Sequence, residues 1–409
     1  MRALEYRKSI PRYALQRVLG KRALGLDPWR LAPLRLCDRP EPPLPAPGWV
    51  RVRPRLAGVC GSDLATIAAT GSPYLAPVTS MPFVLGHETV GLVVETGSGV
   101  TRVREGDRVV LHPALGCRVR GIEPPCAACA EGRDALCRNV TRGVIGPGIQ
   151  TGYCRDTGGA FGDSFVAHES QLYRVSEDVP DEAAVLIEPL ACALHGVLRA
   201  PPAASDTVLL LGCGAMGLLT VAALRATGCT ARIVAVAKHD HQRERAARLG
   251  ADELLDSRGA VVERYRRWAR VLGAEVLAAE LGKPAVLGGA DVTFDCVASS
   301  TTLDDAIRFT RSGGTLVLVG MPAIPRNVDW TPLWYKELTL RAAYAYGPER
   351  CPDGQRETFD IALELMRAWS GRLAPLVSAP FELSEYRAAL ASAFHAGSGK
   401  AVKTIFRIH

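Results

Sequence analysis

Three short motifs contain residues of the types that bind metal ions. They are GVCGSD with Cys60, Ser62 and Asp63, GHE with His87 and Glu88, and IEPLACALHG with Glu188. A catalytic zinc takes about three protein ligands from thiolate, imidazole and carboxylate groups and keeps one position open. Cys60, His87 and a carboxylate would supply that set. A single cysteine or histidine is usually structural, so the interpretation depends on all three motifs occurring in one chain.

A second group of possible ligands is a cluster drawn from the 12 cysteines of the chain. It consists of Cys117, Cys126, Cys129 and Cys137. The N-terminus lacks the apolar run of a secretory signal. Clustered thiols without such a signal are typical of metal sites in a reducing compartment. We therefore expect a cytoplasmic protein with a metal-binding loop, and the alternative is a lost site with leftover thiols.

A glycine-rich motif follows an apolar run and precedes a helical pattern in TVLLLGCGAMGLLTVAALRATG. Gly212 would make the tight turn, Gly214 would let the backbone approach a pyrophosphate, and Gly217 would allow close helix–strand packing. The N–H groups at the start of the helix, at Ala215 and Met216, would bind the phosphates. The alternative is a glycine-rich turn between a core strand and a core helix.

The residues after the next apolar run predict the cofactor. An acidic residue about 20 positions past the last glycine would bind the ribose 2′-hydroxyl of NAD. Ala237 occupies that position, whereas Lys238, His239 and Arg243 would neutralise the 2′-phosphate of NADP. The sequence therefore favours NADP over NAD. Asp240 is the open alternative, either as the ribose ligand or as the cap of a helix beginning near His241.

The chain that must position these residues is long enough for two or three domains. Its 409 residues are 48% hydrophobic and 22% charged, which excludes disordered, collagen-like and coiled-coil classes. The net charge of +7 is dispersed, so we expect no nucleic-acid partner. The uncharged segment from Thr207 to Leu224 has the length of a membrane helix, but its glycines fall in the more specific pattern above, so we expect no membrane partner. Short alternating apolar stretches predict an all-β, barrel-like unit up to about Ala183. From about Pro189 to Tyr346, apolar runs alternate with helical patterns, which predicts a parallel sheet.

The chain resembles the zinc-dependent medium-chain dehydrogenase/reductase family, and most closely its sorbitol and threonine dehydrogenase branch. The resemblance is carried by these motifs together with PFVLGHETVGLVVETGSGV, GDRVV and LVLVGMP. The resemblance extends from about Trp49 to the C-terminus. It implies an α/β fold in which residues 1–189 form a GroES-like β-barrel catalytic domain and residues 190–345 a Rossmann domain, a doubly wound parallel sheet. Residues 346–409 would return to the catalytic domain, and the cofactor would lie in the cleft between the domains.

The resemblance also implies roles for the motif residues. The implied ligands of the catalytic zinc are Cys60, His87, Glu188 and either Glu88 or water. Asp63 would orient the His87 imidazole. Ser62 would pass the substrate proton towards the cofactor ribose or solvent. Some relatives end this relay at a histidine, but this chain has Ala65 at that position, so its relay must end elsewhere, for example at water.

The cysteine cluster matches the structural zinc lobe of the family, at about residues 115–140. Cys126, Cys129 and Cys137 match three of its four ligands. The fourth usually lies three residues before the first of these, where this chain has Glu123. We expect Cys117 to complete a tetrahedral site around an enlarged loop, and this zinc would contribute to folding rather than to chemistry.

The expected activity is the NAD(P)-linked interconversion of a polar secondary alcohol (a polyol, sugar or amino alcohol) and its carbonyl form. Zinc would act as a Lewis acid on the substrate oxygen, and the nicotinamide would exchange the hydride. The stretch that lines the nicotinamide would be Val319, Gly320 and Met321. The family implies a homodimer or homotetramer. The alternatives are a specialised carbonyl reductase or transient-redox enzyme of the same family, and a zinc-ribbon nucleic-acid-binding protein.

Two segments extend the chain beyond the family pattern. They are residues 11–34, which lengthen the N-terminal hairpin region, and the glycine-rich residues 141–159. Loops of this sort often border a binding cleft. We expect them to shape the substrate pocket or to extend an oligomer surface.

Overall fold

The computed structural model describes residues 1–24, 27–351 and 354–409 of the chain. They form two compact units, one of Met1–Glu188 with Tyr346–His409 and the other of Pro189–Ala345. The second unit is therefore inserted in the sequence of the first. Among the helices of the described residues, none is both long enough and apolar enough to cross a bilayer.

The N-terminal part of the first unit is built mainly of strands. These are β1 (Arg2–Tyr6), β2 (Leu34–Asp38), β3 (Trp49–Gly58), β4 (Phe83–Val84), β5 (Glu88–Thr96), β6 (Arg108–Leu111), β7 (Phe165–His168) and β8 (Leu172–Arg174). The helices are α1 (Ile10–Leu24), α2 (Gly61–Ile67), α3 (Ala127–Ala130), α4 (Asp181–Ala184) and α5 (Ile187–Arg199), which continues into the second unit. β1 pairs with β2 and β4 in a three-stranded antiparallel sheet.

The prediction that this part is all β is wrong at α1. The helix lies between the paired strands β1 and β2, so the extension at 11–34 is largely helical, with Gly25 and Leu26 outside the described residues. Gln16 Nε2 donates to the carbonyl of Ile67 at 2.8 Å. Arg17 donates to the carbonyl of Ala69 at 3.3 Å. Polar side chains thus attach α1 to the end of α2, which apolar alternation could not reveal.

The second unit is a parallel sheet flanked by helices. Its strands are β9 (Thr207–Leu211), β10 (Arg232–Ala237), β11 (Glu253–Asp256), β12 (Glu275–Leu277), β13 (Ala285–Leu287), β14 (Ala290–Asp295), β15 (Thr310–Leu318) and β16 (Thr339–Ala342). Its helices are α6 (Ala215–Ala226), α7 (Asp240–Leu249), α8 (Val261–Leu272), α9 (Ser300–Phe309) and α10 (Thr331–Tyr335).

The strand order of this sheet is that of a dinucleotide-binding fold. The six parallel strands lie in the order β11-β10-β9-β14-β15-β16, while β12 and β13 form a separate hairpin. Numbered within the sheet, this is the order 3-2-1-4-5-6 of the Rossmann fold. The predicted doubly wound parallel sheet is confirmed.

The C-terminal segment completes the first unit. It contains β17 (Pro348–Cys351), β18 (Gly354–Glu357), α11 (Thr358–Leu373), β19 (Phe381–Glu382), α12 (Tyr386–Phe394) and β20 (Ile405–Arg407). β20 pairs antiparallel with β3 and so joins a seven-stranded sheet, in which the order is β19-β20-β3-β5-β6-β8 and β7 also pairs with β3. The last strand of the chain therefore lies beside β3, the strand that leads to Cys60.

Candidate active site

Three metal-binding side chains meet where β3 ends and β5 begins. Cys60 lies just past β3 and forms the N-cap of α2, while His87 immediately precedes β5 and Glu88 opens it. Their ligand atoms lie within 4.8 Å of one another. The pairing of β3 with β5 places Gly58 opposite Glu88. A Cβ at Gly58 would collide with the Glu88 carboxylate, so a glycine is required there for the carboxylate to reach the cluster.

Asp63 lies buried beneath Cys60 and His87. Its Oδ2 accepts the backbone N–H of Cys60 at 3.0 Å, and its Oδ1 is 3.6 Å from His87 Nδ1. Burial raises the pKa of Asp63, and the neighbouring His87 opposes that rise. The carboxylate is therefore positioned to orient the imidazole.

Glu88 also forms an ion pair with Lys403, which precedes β20. The two side chains are only 1% and 4% exposed. Burial lowers the pKa of Lys403, but Glu88 and then Cys60 raise it, and the net change is a rise. Sequence reasoning missed Lys403 because it lies far from the motifs along the chain and enters the cluster only through the pairing of β20 with β3.

Glu188 lies at the margin of this cluster. It is buried in the first turn of α5, and its carboxylate is close enough to raise the pKa of both His87 and Lys403. Among the described residues, however, the mutually close ligand atoms are those of Cys60, His87 and Glu88. Direct binding of a metal by Glu188 stays a prediction.

The charges of the cluster are those of a cation site. Burial lowers the pKa of His87, but Asp63, Cys60 and Glu188 raise it, and the result is about 10. Negative groups that hold a proton on a buried imidazole would equally stabilise a divalent cation in its place. A thiolate, an imidazole and a carboxylate are donors that zinc prefers. The residues of this cluster therefore fit a zinc ion.

Three hydroxyl groups cluster beside Asp63. The Tyr153 hydroxyl is 3.1 Å from Thr66 Oγ1 and donates to Asp63 Oδ1 at 3.4 Å. Burial raises the pKa of Tyr153 well above its ordinary value, Asp63 adds to the rise, and Thr66 and Ser62 lower it. Tyr153 lies in the glycine-rich residues 141–159 and was not predicted as a site residue. Its hydroxyl lies next to α2, the helix in which Ala65 leaves the expected relay without a histidine.

The four clustered cysteines converge in a separate place in the first unit. Their sulfurs lie within 4.8 Å of one another. Cys117 Sγ is 3.6 Å from Cys137 Sγ, and Cys126 Sγ is 4.0 Å from Cys137 Sγ. A tetrahedral zinc with Zn–S bonds of about 2.3 Å separates its sulfurs by about 3.8 Å. Cys117 thus lies close enough to the other three sulfurs to be the fourth ligand, whereas Glu123 is outside the group, and binding of zinc by Cys117 stays a prediction.

Backbone and side-chain amides donate to these sulfurs. The backbone N–H of Cys117 donates to Cys129 Sγ, and that of Cys126 donates to Cys117 Sγ. Asn139 donates to Cys117 Sγ and Cys137 Sγ, at 3.3 Å each. Burial opposes ionisation of Cys126, but backbone N–H donors lower its pKa to about 6. Burial dominates at two other members and raises the pKa of Cys129 and, to about 11, that of Cys137. The fit of this cluster to zinc therefore rests on the convergence of four sulfur donors.

The glycine-rich turn in the second unit joins β9 to α6. Gly212 has φ of +90°, which favours glycine, and a Cβ at Gly217 would collide with the Gly212 carbonyl. Gly214 is the N-cap of α6, and a Cβ there would meet nothing within 4 Å. The three glycines therefore make the turn, leave room at the helix N-terminus and allow close packing. This arrangement suits a pyrophosphate at Ala215 and Met216.

Lys238, His239 and Arg243 follow β10 as a partly exposed basic group. Lys238 is exposed, and His239 is the N-cap of α7. Arg243 donates to the Ala237 carbonyl at 3.0 Å and pairs with Asp240. The helix begins at Asp240, one residue before the predicted start, and Asp240 is the first helical residue rather than the cap.

A further arginine, which sequence reasoning missed, joins this basic group. Arg258 pairs with Asp256 at 2.7 Å and lies 3.6 Å from Asp240. Arg243 is 3.7 Å from the same Asp256 carboxylate. Two arginines and two carboxylates thus lie at the carboxyl ends of β10 and β11. Asp240 already interacts with both arginines, so its carboxylate is less available to bind the ribose hydroxyl.

Val319, Gly320 and Met321 follow β15 at the same edge of the sheet. The backbone N–H groups of Val319 and Gly320 both donate to the Asp295 carbonyl at 3.0 Å. A Cβ at Gly320 would lie 2.8 Å from the backbone of Val297. Met321 is 45% exposed. The stretch is therefore a tight turn at the carboxyl edge, where ligands of parallel sheets bind.

Two family descriptions match the chain. Residues 46–177 match "Alcohol dehydrogenase GroES-like domain". Residues 215–368 match "Zinc-binding dehydrogenase". The GroES-like fold predicted for the first unit is confirmed.

Named relatives align over most of the chain. An L-idonate 5-dehydrogenase of Vitis vinifera is 28% identical over 391 residues, which are 96% of this chain and 93% of the relative. A protein of Neosartorya fischeri named "Probable D-xylulose reductase A" is 30% identical over 76% of this chain and 78% of its own length. The crystal structure of 2R,3R-butanediol dehydrogenase from Bacillus subtilis has a TM-score of 0.69 and 26% identity, covering 92% of this chain and 96% of that one. The chain belongs to the zinc-dependent medium-chain dehydrogenase/reductase family, in its sorbitol dehydrogenase-like branch.

Proposed function

We propose that the protein is a zinc-dependent, NAD(P)-linked dehydrogenase that interconverts a polar secondary alcohol and its ketone. The observation that carries the proposal is the convergence of Cys60, His87 and Glu88 in the first unit. It occurs in a chain whose second unit has the strand order and the glycine-rich turn of a dinucleotide-binding fold. A metal cluster alone would also suit a zinc ribbon, but a zinc ribbon has no use for the second unit.

The residues of the cluster divide the work. Cys60, His87 and Glu188 would hold zinc together with Glu88 or water, and the ion would polarise the substrate oxygen as a Lewis acid. Asp63 would keep the His87 ring in its ligating orientation. Ser62, on the first turn of α2, would accept the substrate hydroxyl proton. Bound NAD(P) would exchange the hydride.

We infer that Lys403 and Glu88 control the charge at this site. In the Glu88–Lys403 ion pair, the lysine neutralises the Glu88 carboxylate. Cys60 and Glu188 would then supply the negative charge that stabilises the metal. If Glu88 instead bound the metal, it would give up part of its interaction with Lys403. The ion pair therefore suits the implied alternative of Glu88 or water as a ligand of the metal.

The names of the relatives favour a polyol or sugar alcohol as substrate. L-idonate, sorbitol, D-xylulose and 2R,3R-butanediol appear in the names of aligned proteins. All carry a secondary hydroxyl or carbonyl next to another oxygen-bearing carbon. We propose this chemical class for the present chain.

To test this function, purified metal-replete protein would be incubated with NADP⁺ or NAD⁺ and a panel of polyols, sugar acids and vicinal diols. We expect reduced nicotinamide to accumulate with at least one of them, and Cys60→Ser to abolish the signal. A metal-replete protein that changes nicotinamide absorbance with no alcohol and no carbonyl compound would overturn the proposal.

We propose that NADP is preferred over NAD because Lys238, Arg243 and Arg258 surround the end of β10. The positive charges of these three residues exceed the negative charges of Asp240 and Asp256, so a 2′-phosphate would neutralise the remaining positive charge. Replacing Arg258 by Gln should lower kcat/KM for NADP⁺ by about 10-fold, the value of one charge-assisted hydrogen bond, and leave that for NAD⁺ nearly unchanged. Arg266→Gln, on an exposed face of α8, is the matched control. Equal losses for both cofactors would contradict the preference.

We further propose that the protein forms a homodimer in the cytoplasm. In the described chain β16 pairs only with β15, and all four of its side chains are exposed. Trp334 and Tyr335 beside it are 78% and 68% exposed. Exposed sheet edges and large apolar patches favour self-association. Light scattering should give twice the chain mass, and Trp334→Asp should shift it towards the monomer. None of the cysteines of the described chain is in a disulfide, which supports a reducing compartment.

A further inference from the structure

Tyr153 contributes a hydroxyl group to the candidate active site from outside the metal-binding motifs. Its side chain is 8% exposed, and its ring lies 5.2 Å from that of Phe83 and 6.1 Å from that of His87, between centroids. Nothing in the proposed reaction uses it. Tyr153 is therefore a buried polar side chain next to a predicted metal ligand, His87, with no role in that reaction.

The Tyr153 hydroxyl donates to the carboxylate oxygen of Asp63 that faces the imidazole of His87. Asp63 Oδ2 is occupied by the backbone N–H of Cys60, while Oδ1 faces His87 Nδ1 at 3.6 Å and accepts from Tyr153 at 3.4 Å. Rotation of this carboxylate would move the partner of the imidazole. A donor on each oxygen restricts that rotation, and Tyr153 is the side-chain donor on the oxygen that faces His87. Thr66 fixes the tyrosine hydroxyl in turn, at 3.1 Å.

Gly152, the residue before Tyr153, packs against Gly86, the residue before His87. Gly152 has φ of +89°, and a Cβ there would lie 2.8 Å from the Gly86 carbonyl oxygen. The same segment contacts Gly86 a second time, because the N–H of Ala160 donates to the Gly86 carbonyl at 2.9 Å. Movement of residues 152–160 would therefore be transmitted to His87 by contact as well as by hydrogen bonding.

Arg120 holds the earlier part of this segment in place. Its side chain is completely buried in the loop between Cys117 and Cys126. It donates to the carbonyls of Leu115, Arg142, Ile145, Gly146 and Gly148, at 2.6–3.3 Å. A guanidinium offers five donors in a rigid plane, so one side chain can fix several carbonyls at once.

The fixed part continues towards Tyr153. Asp156 Oδ2 accepts the N–H of Gly146 at 2.7 Å, and Cys154 Sγ lies 3.5 Å from the Gly146 carbonyl. Residues that follow Tyr153 are therefore tied to the stretch that Arg120 holds. The extension at 141–159 is thus a strap that runs from the four-cysteine lobe to the candidate active site.

We propose that Tyr153 is a positioning residue that holds Asp63, and through it His87, in the geometry that binds the catalytic metal, and that Arg120 anchors the strap which places it. The inference rests on the proposed function, since it requires a metal at Cys60 and His87. It connects the enlarged loop of the cysteine lobe, which has no role in the reaction, to the catalytic ligands.

The test is Tyr153→Phe, which removes the hydroxyl and keeps the ring. Catalytic zinc affinity would be measured by competition with a chromophoric chelator, and its geometry by the absorption spectrum of the cobalt-substituted protein. We expect the catalytic zinc to bind about 10-fold more weakly, as for other groups that support a metal ligand, with an altered cobalt spectrum and little change in Tm. Tyr74→Phe, at a tyrosine that is 85% exposed, is the control and should match the unmodified protein.

A Tyr153→Phe protein with the zinc affinity and cobalt spectrum of the unmodified protein would overturn the proposal. Gly152→Ala gives a second measurement, since it moves the strap without removing the hydroxyl. It should weaken catalytic zinc binding too, and unchanged zinc binding there would contradict the positioning by the strap. If instead the unmodified protein binds no zinc at Cys60 and reduces no cofactor, the proposed function fails, and that result is distinct from failure of the inference alone.

Discussion

The two metal clusters of the first unit differ in almost every physical respect. The four cysteines come from one stretch of 21 positions, Cys117 to Cys137, and their sulfurs accept several N–H groups from the same stretch. The catalytic cluster brings together Cys60, which follows β3, and His87, which precedes β5. It mixes thiolate, imidazole and carboxylate and includes a buried lysine.

This difference separates a site for folding from a site for chemistry. Four thiolates close a tetrahedron, so no position is left for a substrate. The catalytic cluster has three mutually close donors, Cys60, His87 and Glu88, which would leave the fourth position of a tetrahedral ion to a substrate oxygen. Loss of a ligand should therefore affect stability in one cluster and rate in the other.

Replacement of Cys60 by Ser should give the largest effect, and the effect should be on rate. Lewis-acid stabilisation is worth several kcal/mol, so we expect kcat/KM to fall by about 10³-fold or more. The Tm should change little, because the fold does not depend on this ligand. Steady-state kinetics and thermal unfolding measure the two quantities. Substantial remaining activity would contradict the assignment of Cys60.

Replacement of Cys126 by Ser should have the opposite profile. A structural zinc contributes folding free energy directly, and we expect a loss of about 4 kcal/mol, or roughly 10 °C in Tm. The fraction that stays folded should retain most of its kcat. A variant as stable as the unmodified protein would show that this cluster does not hold a metal that matters for folding.

Replacement of Lys403 by Met tests the charge balance of the catalytic cluster. Removing one partner of a buried pair leaves Glu88 uncompensated, which costs about 3 kcal/mol. Catalytic zinc would offset part of that cost. We therefore expect a larger loss of unfolding free energy in a Cys60→Ser background than in the zinc-binding protein. Equal losses in both backgrounds would mean that Glu88 and the metal do not interact.

A buried histidine outside both clusters predicts the pH dependence of stability. His112 packs against Tyr346 and Phe359, and burial lowers its pKa to about 4. The unfolded value is about 6.5, so the unfolded chain binds more protons between these values and stability falls as the pH drops through them. We expect a loss of about 2 kcal/mol between pH 7 and pH 4.5 that His112→Phe removes.

Urea unfolding of both proteins at fixed zinc concentration measures this difference. Protonation of the cysteines at low pH would destabilise both proteins alike, so only the difference between them reports on His112. Parallel losses of stability in the two proteins would contradict the assignment.

The sequence predicts the parts of the molecule that depend on short-range patterns. The glycine spacing and the alternation of apolar and helical runs are sufficient to predict the Rossmann sheet. The family motifs are sufficient to predict the GroES-like unit. Cys60 and His87 were identified because each lies in a short motif beside a strand end. Cys117 was identified by type and proximity to the other three cysteines.

Residues that enter the site through distant contacts were not predictable. Lys403 reaches Glu88 only because β20 pairs with β3, and Tyr153 reaches Asp63 only through the strap. Arg258 joins Arg243 because β10 and β11 are neighbours in the sheet. α1 was missed for a related reason, since its fixed position comes from hydrogen bonds to the end of α2 rather than from an apolar pattern.

Zinc content per chain tests the central contrast most directly. We expect two zinc ions in the purified protein, one in Cys60→Ser with its fold intact and its activity lost, and selective loss of stability when the cysteine lobe is disrupted. A single zinc ion per chain that Cys60→Ser retains, together with full dehydrogenase activity in that variant, would contradict it.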